Sequence, residues 1–365
     1  SLANQSLTIY KNGTLTDQEG LAKAIKNKAE VDYNLGNYAQ ADSLYRLALY
    51  TFQQTDASNE EDLGQCYLSL GQVHIELGQY AATDSFLVLA QRHLEKVLTP
   101  PHVDLAVALH GRGDAARKLR KFEQSETFYQ AALAMQKELF QVPNTEIAYT
   151  LNHLASLHYD QFQYAAGIPF AEESYQQRKA IFGDQHVETI ASKSNLSRLL
   201  ANTGDYETAM QHKLEIYDHL SAIFGSHLHP YVLGTYQGIA AMYARMGDWQ
   251  KSADAYKTII EQLPDLPSPY PVAYVPFQGY GNALHQLGKS KQAEVQLRKA
   301  LAVLPTSTRV LPTGPISVRY DLAVCLFDTG KQEEARVLMS VAKALLAEYP
   351  DFPLDRIARM KEILE

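Results

Sequence analysis

Apolar residues along this chain come in helical rhythm, two segments at a time, with a short turn between them. In residues 63–77, Tyr67, Leu70, Gly71 and His74 follow the i, i+3, i+4, i+7 spacing of one helix face. After the turn Leu77-Gly78-Gln79-Tyr80, residues 82–98 carry Phe86, Leu87, Leu89, Ala90, Leu94 and Val97 at similar spacing. The pattern predicts two antiparallel helices. The glycine supplies a backbone conformation other residues resist, and the tyrosine anchors the second helix. The turn recurs as Leu35-Gly36-Asn37-Tyr38, Thr203-Gly204-Asp205-Tyr206, Met246-Gly247-Asp248-Trp249, Leu287-Gly288-Lys289-Ser290 and Thr329-Gly330-Lys331-Gln332. Leu119-Arg120-Lys121-Phe122 and Gln161-Phe162-Gln163-Tyr164 keep the aromatic without the glycine. The second residues of the eight turns stand 41 to 43 positions apart, mostly 42. A fold around a single core does not produce such a period. It predicts one helix pair, stacked eight times.

The phase of the turn locates the packing positions. Seven residues before it stand Ala29, Gly71, Gly113, Ala155, Ser197, Ala240, Gly281 and Ala323, all small. Two antiparallel helices joined by a short turn approach closely where they cross, which favours a side chain no larger than a methyl or hydroxymethyl. Glycine inside a helix costs ~1 kcal/mol relative to alanine, so its use there implies a packing demand. Nine residues after the turn stand Tyr45, Leu87, Tyr129, Tyr256, Leu297 and Met339, with Ala171 and Lys213 breaking the rule. Three further on are Ala48, Ala90, Ala132, Ser174, Ile216, Ile259, Ala300 and Ala342.

The ends and linkers differ from the repeats. Ala3, Leu7 and Tyr10 lead to Asn12-Gly13, so residues 1–13 are expected to be half a unit, the second helix of a truncated repeat. The eight repeats are expected over residues 14–350 and a capping helix within 351–365. In that cap, Arg356, Arg359, Lys361 and Glu362 are expected to face water, and Ile357, Met360 and Leu364 to cover the last repeat. Prolines 264, 267, 269, 271 and 276, then 305, 312 and 315, predict early ends for the second helices of units six and seven, with stiff connectors after them.

The small residue in the first helix, the Gly-x-Tyr turn and the Ala, aromatic, Ala order of the second helix resemble the tetratricopeptide repeat family. Ala293, Ala300 and Pro305 fit it closely in the seventh unit. The period exceeds the family's usual length of about 34. Together with Phe182-Gly183-Asp184-Gln185-His186-Val187, Phe224-Gly225 and His229-Pro230-Tyr231-Val232 between units, and Thr150-Leu151-Asn152-His153-Leu154-Ala155 in a first helix, it is similar to the kinesin-light-chain type. The resemblance implies an all-α, right-handed superhelical solenoid of antiparallel helix pairs, whose first helices line a concave groove.

Composition narrows the chemistry. The chain has 365 residues, 46% hydrophobic and 20% charged, with a formal net charge of −8, which offers no basic stripe for nucleic acid. Cys66 and Cys325 lie six repeats apart and are expected to stay unpaired. No apolar run approaches the ~20 residues of a membrane span, so no membrane insertion and a cytoplasmic location are expected. The chain begins Ser1-Leu2 rather than with Met and is expected to be a fragment. Twelve histidines raise the question of a metal. His212, His219, His227 and His229 are the group considered, but no His-x-x-x-His with an added acid occurs, and no metal or other cofactor is expected. His74 and His158 fall on packing faces. Gly288-Lys289-Ser290 lacks the spacing and the strand of a phosphate loop, and Arg112-Gly113-Asp114 lies within a helix. No strand-turn nucleophile motif appears, and no enzymatic activity is expected from these residues.

What remains is the face that the first helices share. On the resemblance, it is expected to present Lys26, Asn27, Glu30 and Gln72, then His110, Asp114 and Arg117, then Asn152, His153, Ser156 and Tyr159. Ser194, Asn195, Arg198 and Asn202 follow, then Gln237 and Arg245, then Gln278, Asn282 and His285. From unit three to unit seven this run is rich in amides and nearly without carboxylates. Amides both donate and accept, so they can grip a peptide backbone of any sequence, and Arg117, Arg198 and Arg245 can pair a carboxylate or phosphate. Lys26 matches the first lysine of the family's carboxylate clamp, but Glu30 stands where that clamp needs an asparagine. The expected function is a non-enzymatic protein- or peptide-binding scaffold. The alternatives are a C-terminal or N-terminal regulatory or sensor region of a larger signalling protein, for example a serine/threonine or histidine kinase, with an upstream catalytic domain in the same chain as one form of it, and a peptide-pheromone receptor.

Overall fold

The structure is a computed structural model that describes residues 18–55, 59–265, 270–307, 310, 313–346 and 354–365. The expected half-repeat at 1–13, and Pro267, Pro269 and Pro312, lie outside the described residues.

Every described regular element is helical. The repeats are α1 (Gln18–Asn34) with α2 (Tyr38–Gln53), α3 (Glu60–Glu76) with α4 (Tyr80–Leu94), α5 (Val103–Lys118) with α6 (Phe122–Leu139), and α7 (Thr145–Asp160) with α8 (Tyr164–Phe182). Next come α9 (Val187–Thr203), α10 (Tyr206–Phe224), α11 (Pro230–Arg245) with α12 (Trp249–Gln262), α13 (Tyr274–Gln286) with α14 (Ser290–Val303), and α15 (Gly314–Asp328) with α16 (Gln332–Leu345). A last helix, α17, spans Leu354–Leu364. The chain forms two compact units, the first ending at Leu199 and the second running from Leu200 to Glu365.

The turns explain the period. The eight turn residues carry positive φ: Gly36 78°, Gly78 70°, Arg120 59°, Phe162 61°, Gly204 93°, Gly247 79°, Gly288 74° and Gly330 84°. At the first, Gly36 N donates to Tyr33 O (2.9 Å) and Asn37 N to Asp32 O (2.8 Å), the paired bonds that close a helix on a left-handed residue. The turn at Arg120 makes the same two bonds, to Arg117 O (3.0 Å) and Ala116 O (2.8 Å), as does that at Phe162, to Tyr159 O (3.0 Å) and His158 O (2.9 Å). These two turns therefore hold the shared shape and phase at the expense of placing a side chain in the left-handed region.

The crossing glycines are small for a visible reason. A Cβ on Gly71 would lie 2.4 Å from Leu87 Cδ2, one on Gly113 2.5 Å from Tyr129 Cδ1, and one on Gly281 2.6 Å from Leu297 Cγ. The small position before each of these turns thus receives the large position after it.

Within the first unit, one core cluster joins Tyr129 and Leu133 of α6 to Ile147, Leu151, Leu154 and Leu157 of α7. Within the second, Leu297 and Ala293 of α14 join Ile316, Leu322, Ala323 and Leu326 of α15, Met339 of α16, and Met360 and Ile363 of α17. The cap buries Met360 and Ile363, with Ile357 and Leu364 alongside. Two of its arginines do more than face water: Arg359 pairs with Asp328 (2.5 Å), and Arg356 lies 3.7 Å from Asp321. Among the described residues no helix is long and apolar enough to cross a membrane.

Candidate functional site

The polar residues of the first helices meet across neighbouring repeats at fixed sequence offsets. Side chains on one first helix contact those 39 or 43 residues along: His153 with Asp114, Asn195 with Ser156, Asn282 with Asp321 at 39, and Arg117 with Asp160, Asn195 with Asn152, His285 with Asp328 at 43. With a 42-residue period these are offsets of −3 and +1 from the equivalent position, which lie four apart on one face of the same helix. The face is a ladder of inter-repeat bonds.

In the first unit the ladder centres on Asp114, which is 8% exposed. Its Oδ1 accepts from Tyr129 OH (2.6 Å) and from His153 Nδ1 (2.6 Å). Its Oδ2 lies 3.5 Å from Nε2 of His110, one helical turn earlier on α5. His110 Nδ1 and Thr150 Oγ1 share a 3.0 Å hydrogen bond, whereas His110 Nε2 is buried with no hydrogen-bond partner. The Tyr149 ring packs on both imidazoles, 4.8 Å from His110 and 4.4 Å from His153 between centroids. Burial alone would raise the Asp114 carboxyl, but the neighbouring His153 and His110 imidazoles hold it well below the usual range. Burial pushes the His153 imidazole down, against the pull of Asp114. The Tyr149 phenol is raised to about 12, mainly by burial and then by Asp114.

Next to this cluster, Asn195 of α9 is buried and donates to Asn152 O (3.2 Å), Asn152 Oδ1 (3.1 Å) and Ser156 Oγ (3.1 Å). Arg198 then donates to Asn195 Oδ1 (2.8 Å) and stacks its guanidinium 3.8 Å over the Tyr159 ring. Ser156 donates to Asn152 O at 3.0 Å, and Ser194 is half-buried. A cavity of about 200 Å3 opens beside Asp114, lined in part by Gln72, Glu76, His110, Glu146 and Tyr149. Asn144 fixes the start of α7 beside it by accepting from Glu146 N (2.9 Å) and Ile147 N (3.3 Å).

The second unit carries a related row. Asp321 is 8% exposed and accepts from Gln278 Nε2 (2.5 Å) and Asn282 Nδ2 (2.8 Å). His285 Nε2 lies 3.1 Å from Asp328, Arg245 donates to Asn202 Oδ1 (3.3 Å), and Gln237 accepts from Tyr270 OH (3.3 Å). A cavity of about 460 Å3 is lined in part by Arg245, Trp249, Asn282, His285, Asp321 and Arg356.

Bonding and burial add detail to the expected face. Within units three to seven it carries two bonded carboxylates, Asp114, already expected there, and Asp160, and the eighth unit adds Asp321 and Asp328. Arg117 already pairs with Asp160 at 2.9 Å and so is engaged within the protein. His110, Asp114 and Asn195 are buried, and His110 and Asp114 line a cavity of about 200 Å3. Toward the start of the chain, Lys26 pairs with Asp62 (2.6 Å) and donates to Gln65 (2.9 Å), while Asn27 and Glu30 are exposed. His227 bonds Tyr217 OH (3.0 Å) and His229 stacks on Phe224, so these loop histidines serve their own repeat. The one group of described residues arranged to hold a metal is His110, Asp114 and His153. The apolar pattern could not signal the Tyr129 hydroxyl. Asp321, Asp160 and Asp328 were within reach, because they stand nine, two and two residues before their turn residues, registers shared with Asn195 and Asn202.

Helix pairs, left-handed turns and a bonded first-helix face together define a helical-repeat scaffold. The tetratricopeptide repeat family model matches residues 146–222. That match spans two of the eight helix pairs, and the other pairs share their left-handed turn and their spacing. A curated relative, photosystem I assembly protein Ycf3 of Prochlorococcus marinus, is 30% identical over 84 residues, 23% of this chain, and the match spans about half (49%) of the relative's length. Among solved structures, BtubC (BKLC) from P. vanneervenii matches with a TM-score of 0.53 at 21% identity, over 62% of this chain and 91% of that one. A Rap protein complexed with Competence and Sporulation Factor matches with a TM-score of 0.56 at 14% identity, over 94% and 96%. At these identities the likeness concerns the fold.

Proposed function

We propose that this chain is a non-enzymatic scaffold that binds a protein or peptide on the first-helix face of α5, α7 and α9 in the first unit. The observation that carries the reading is the exposed Arg198, stacked on Tyr159 at 3.8 Å and tied to Asn195, which is itself tied to Asn152 and Ser156. Such a chain of bonds presets a guanidinium and a row of amides before a ligand arrives, which lowers the ordering cost of binding. A planar guanidinium suits a carboxylate, and amides suit peptide N–H and C=O groups. The fold of the Rap protein solved with Competence and Sporulation Factor supports a role in binding.

The test is a displayed peptide library read against the wild type and against Arg198→Ala. Peptides retained by the wild type should bind the variant about tenfold more weakly, a loss of ~1.4 kcal/mol. The melting temperature should fall by no more than a few degrees, the effect of losing the stacking on Tyr159 and the donor to Asn195 Oδ1. Equal binding by both proteins would move the site elsewhere.

A further inference from the structure

We infer that His110, Asp114 and His153 form a site for a single divalent ion of zinc type in the first unit. The argument begins with an atom. His110 Nε2 is buried without a hydrogen-bond partner, although its residue is only 8% exposed. Leaving a buried imidazole nitrogen unsatisfied is costly, and such an atom calls for a ligand. It faces Asp114 Oδ2 across 3.5 Å. Two atoms that each bind one tetrahedral ion at 2.0–2.1 Å stand roughly 3.3–3.4 Å apart. The gap is thus too long for a good hydrogen bond and close to the separation of two ligands sharing an ion. His153 brings the third atom from α7, and the three ligand atoms all lie within 4.8 Å of one another.

The surroundings are those of a prepared site. The bond between His110 Nδ1 and Thr150 Oγ1 leaves Nε2 as the ligating nitrogen, and Tyr129 OH holds Asp114 Oδ1. Partners of this kind fix tautomer and ring orientation in metal sites. His153 would ligate through Nδ1 with its proton on Nε2, giving up its present bond to Asp114. Two imidazoles and one carboxylate are a borderline donor set that suits zinc, with cobalt as a spectroscopic substitute. His110 and Asp114 also line the cavity of about 200 Å3, so a fourth, exchangeable position opens there. The site stands on these residues alone and does not depend on the binding role proposed above.

The experiment is titration of chelator-stripped protein with Zn2+ by calorimetry and with Co2+ by visible spectroscopy. One saturable site per chain is expected at low micromolar ion or below, with the strong visible bands of four-coordinate cobalt. His110→Gln and His153→Gln should each weaken it about a hundredfold, and the near-isosteric Thr150→Val, which frees the His110 ring, about tenfold. His229→Gln, on a loop of the second unit, should leave it unchanged. Should a variant not fold, anomalous diffraction at the zinc edge from wild-type crystals decides alone, with a peak between His110, Asp114 and His153 expected. No saturable binding, binding untouched in both histidine variants, or a peak elsewhere would overturn the site.

Discussion

Two buried aspartates, Asp114 in the first unit and Asp321 in the second, occupy the same kind of place on a first-helix face, and each is 8% exposed. Asp321 is met by the amides of Gln278 and Asn282, with Arg356 of the cap 3.7 Å away. Asp114 is met by a phenol and an imidazole, with a second imidazole 3.5 Å off. An amide NH2 group can only donate, so the arrangement around Asp321 is closed once formed. An imidazole nitrogen donates, accepts or ligates according to its proton, so the arrangement around Asp114 remains convertible. The shared ladder geometry sets where the acid goes, and the donors set what it can become.

Removing each carboxylate should separate the two most widely. Asp114→Ala leaves the Tyr129 hydroxyl and the His153 imidazole without their buried acceptor and is expected to destabilise the protein by ~3–5 kcal/mol. Asp321→Ala strands two amides that are half-buried and can turn toward water, for an expected ~1–3 kcal/mol. Urea denaturation of both variants measures the difference. Equal losses would mean that the two acids are equivalent structural parts and would end the contrast drawn between them.

The crossing glycines sharpen the same contrast by way of packing. In Gly113→Ala the new methyl meets the Tyr129 ring at 2.5 Å, and that ring is pinned by its hydroxyl to Asp114. In Gly281→Ala it meets Leu297 Cγ at 2.6 Å, on a side chain free of polar ties. Overpacking costs typically ~1–3 kcal/mol, and the first variant is expected toward the upper end and the second toward the lower. The order of their melting temperatures checks this. The reverse order would show that the Tyr129–Asp114 bond does not hold the ring.

The repeats were legible because each turn needs a left-handed residue and each crossing a small one, and both demands leave marks at a fixed phase. Even Arg120 and Phe162 could be placed, since the aromatic two residues on kept the register. The site was legible only in part. The helical phase puts His110, Asp114 and His153 on one face but carries no sign that they meet, because contact between neighbouring helices follows the offsets −3 and +1. His153 is 43 residues from His110 and 39 from Asp114. A sequence pattern that marks which face a residue takes does not state how one helix is shifted against the next. For the same reason the pattern does not show the bonded places of Asp160 on that face and of Asp321 and Asp328 in the eighth unit.

The smallest expected effects belong to the turns, where the first unit departs from glycine and the second does not. A side chain in the left-handed region costs roughly 1–2 kcal/mol, and glycine returns ~0.5–1 of that through the freedom it gives the unfolded chain. Phe162→Gly is therefore expected to stabilise the protein by about 0.5 kcal/mol, since the Phe162 ring is 57% exposed and only edge-on to Tyr164. Arg120→Gly should come out near zero, because the guanidinium lies 5.3 Å over the Phe122 ring and that contact is worth ~0.5–1 kcal/mol. Gly288→Ala isolates the backbone term: an added Cβ meets nothing within 4 Å, so a loss of about 1 kcal/mol would come from φ alone. Denaturant midpoints for the three should rank Phe162→Gly above Arg120→Gly above Gly288→Ala. If Phe162→Gly instead falls below the wild type, the aromatic edge contact outweighs the strain, and the missing glycines of the first unit are packing choices rather than tolerated defects.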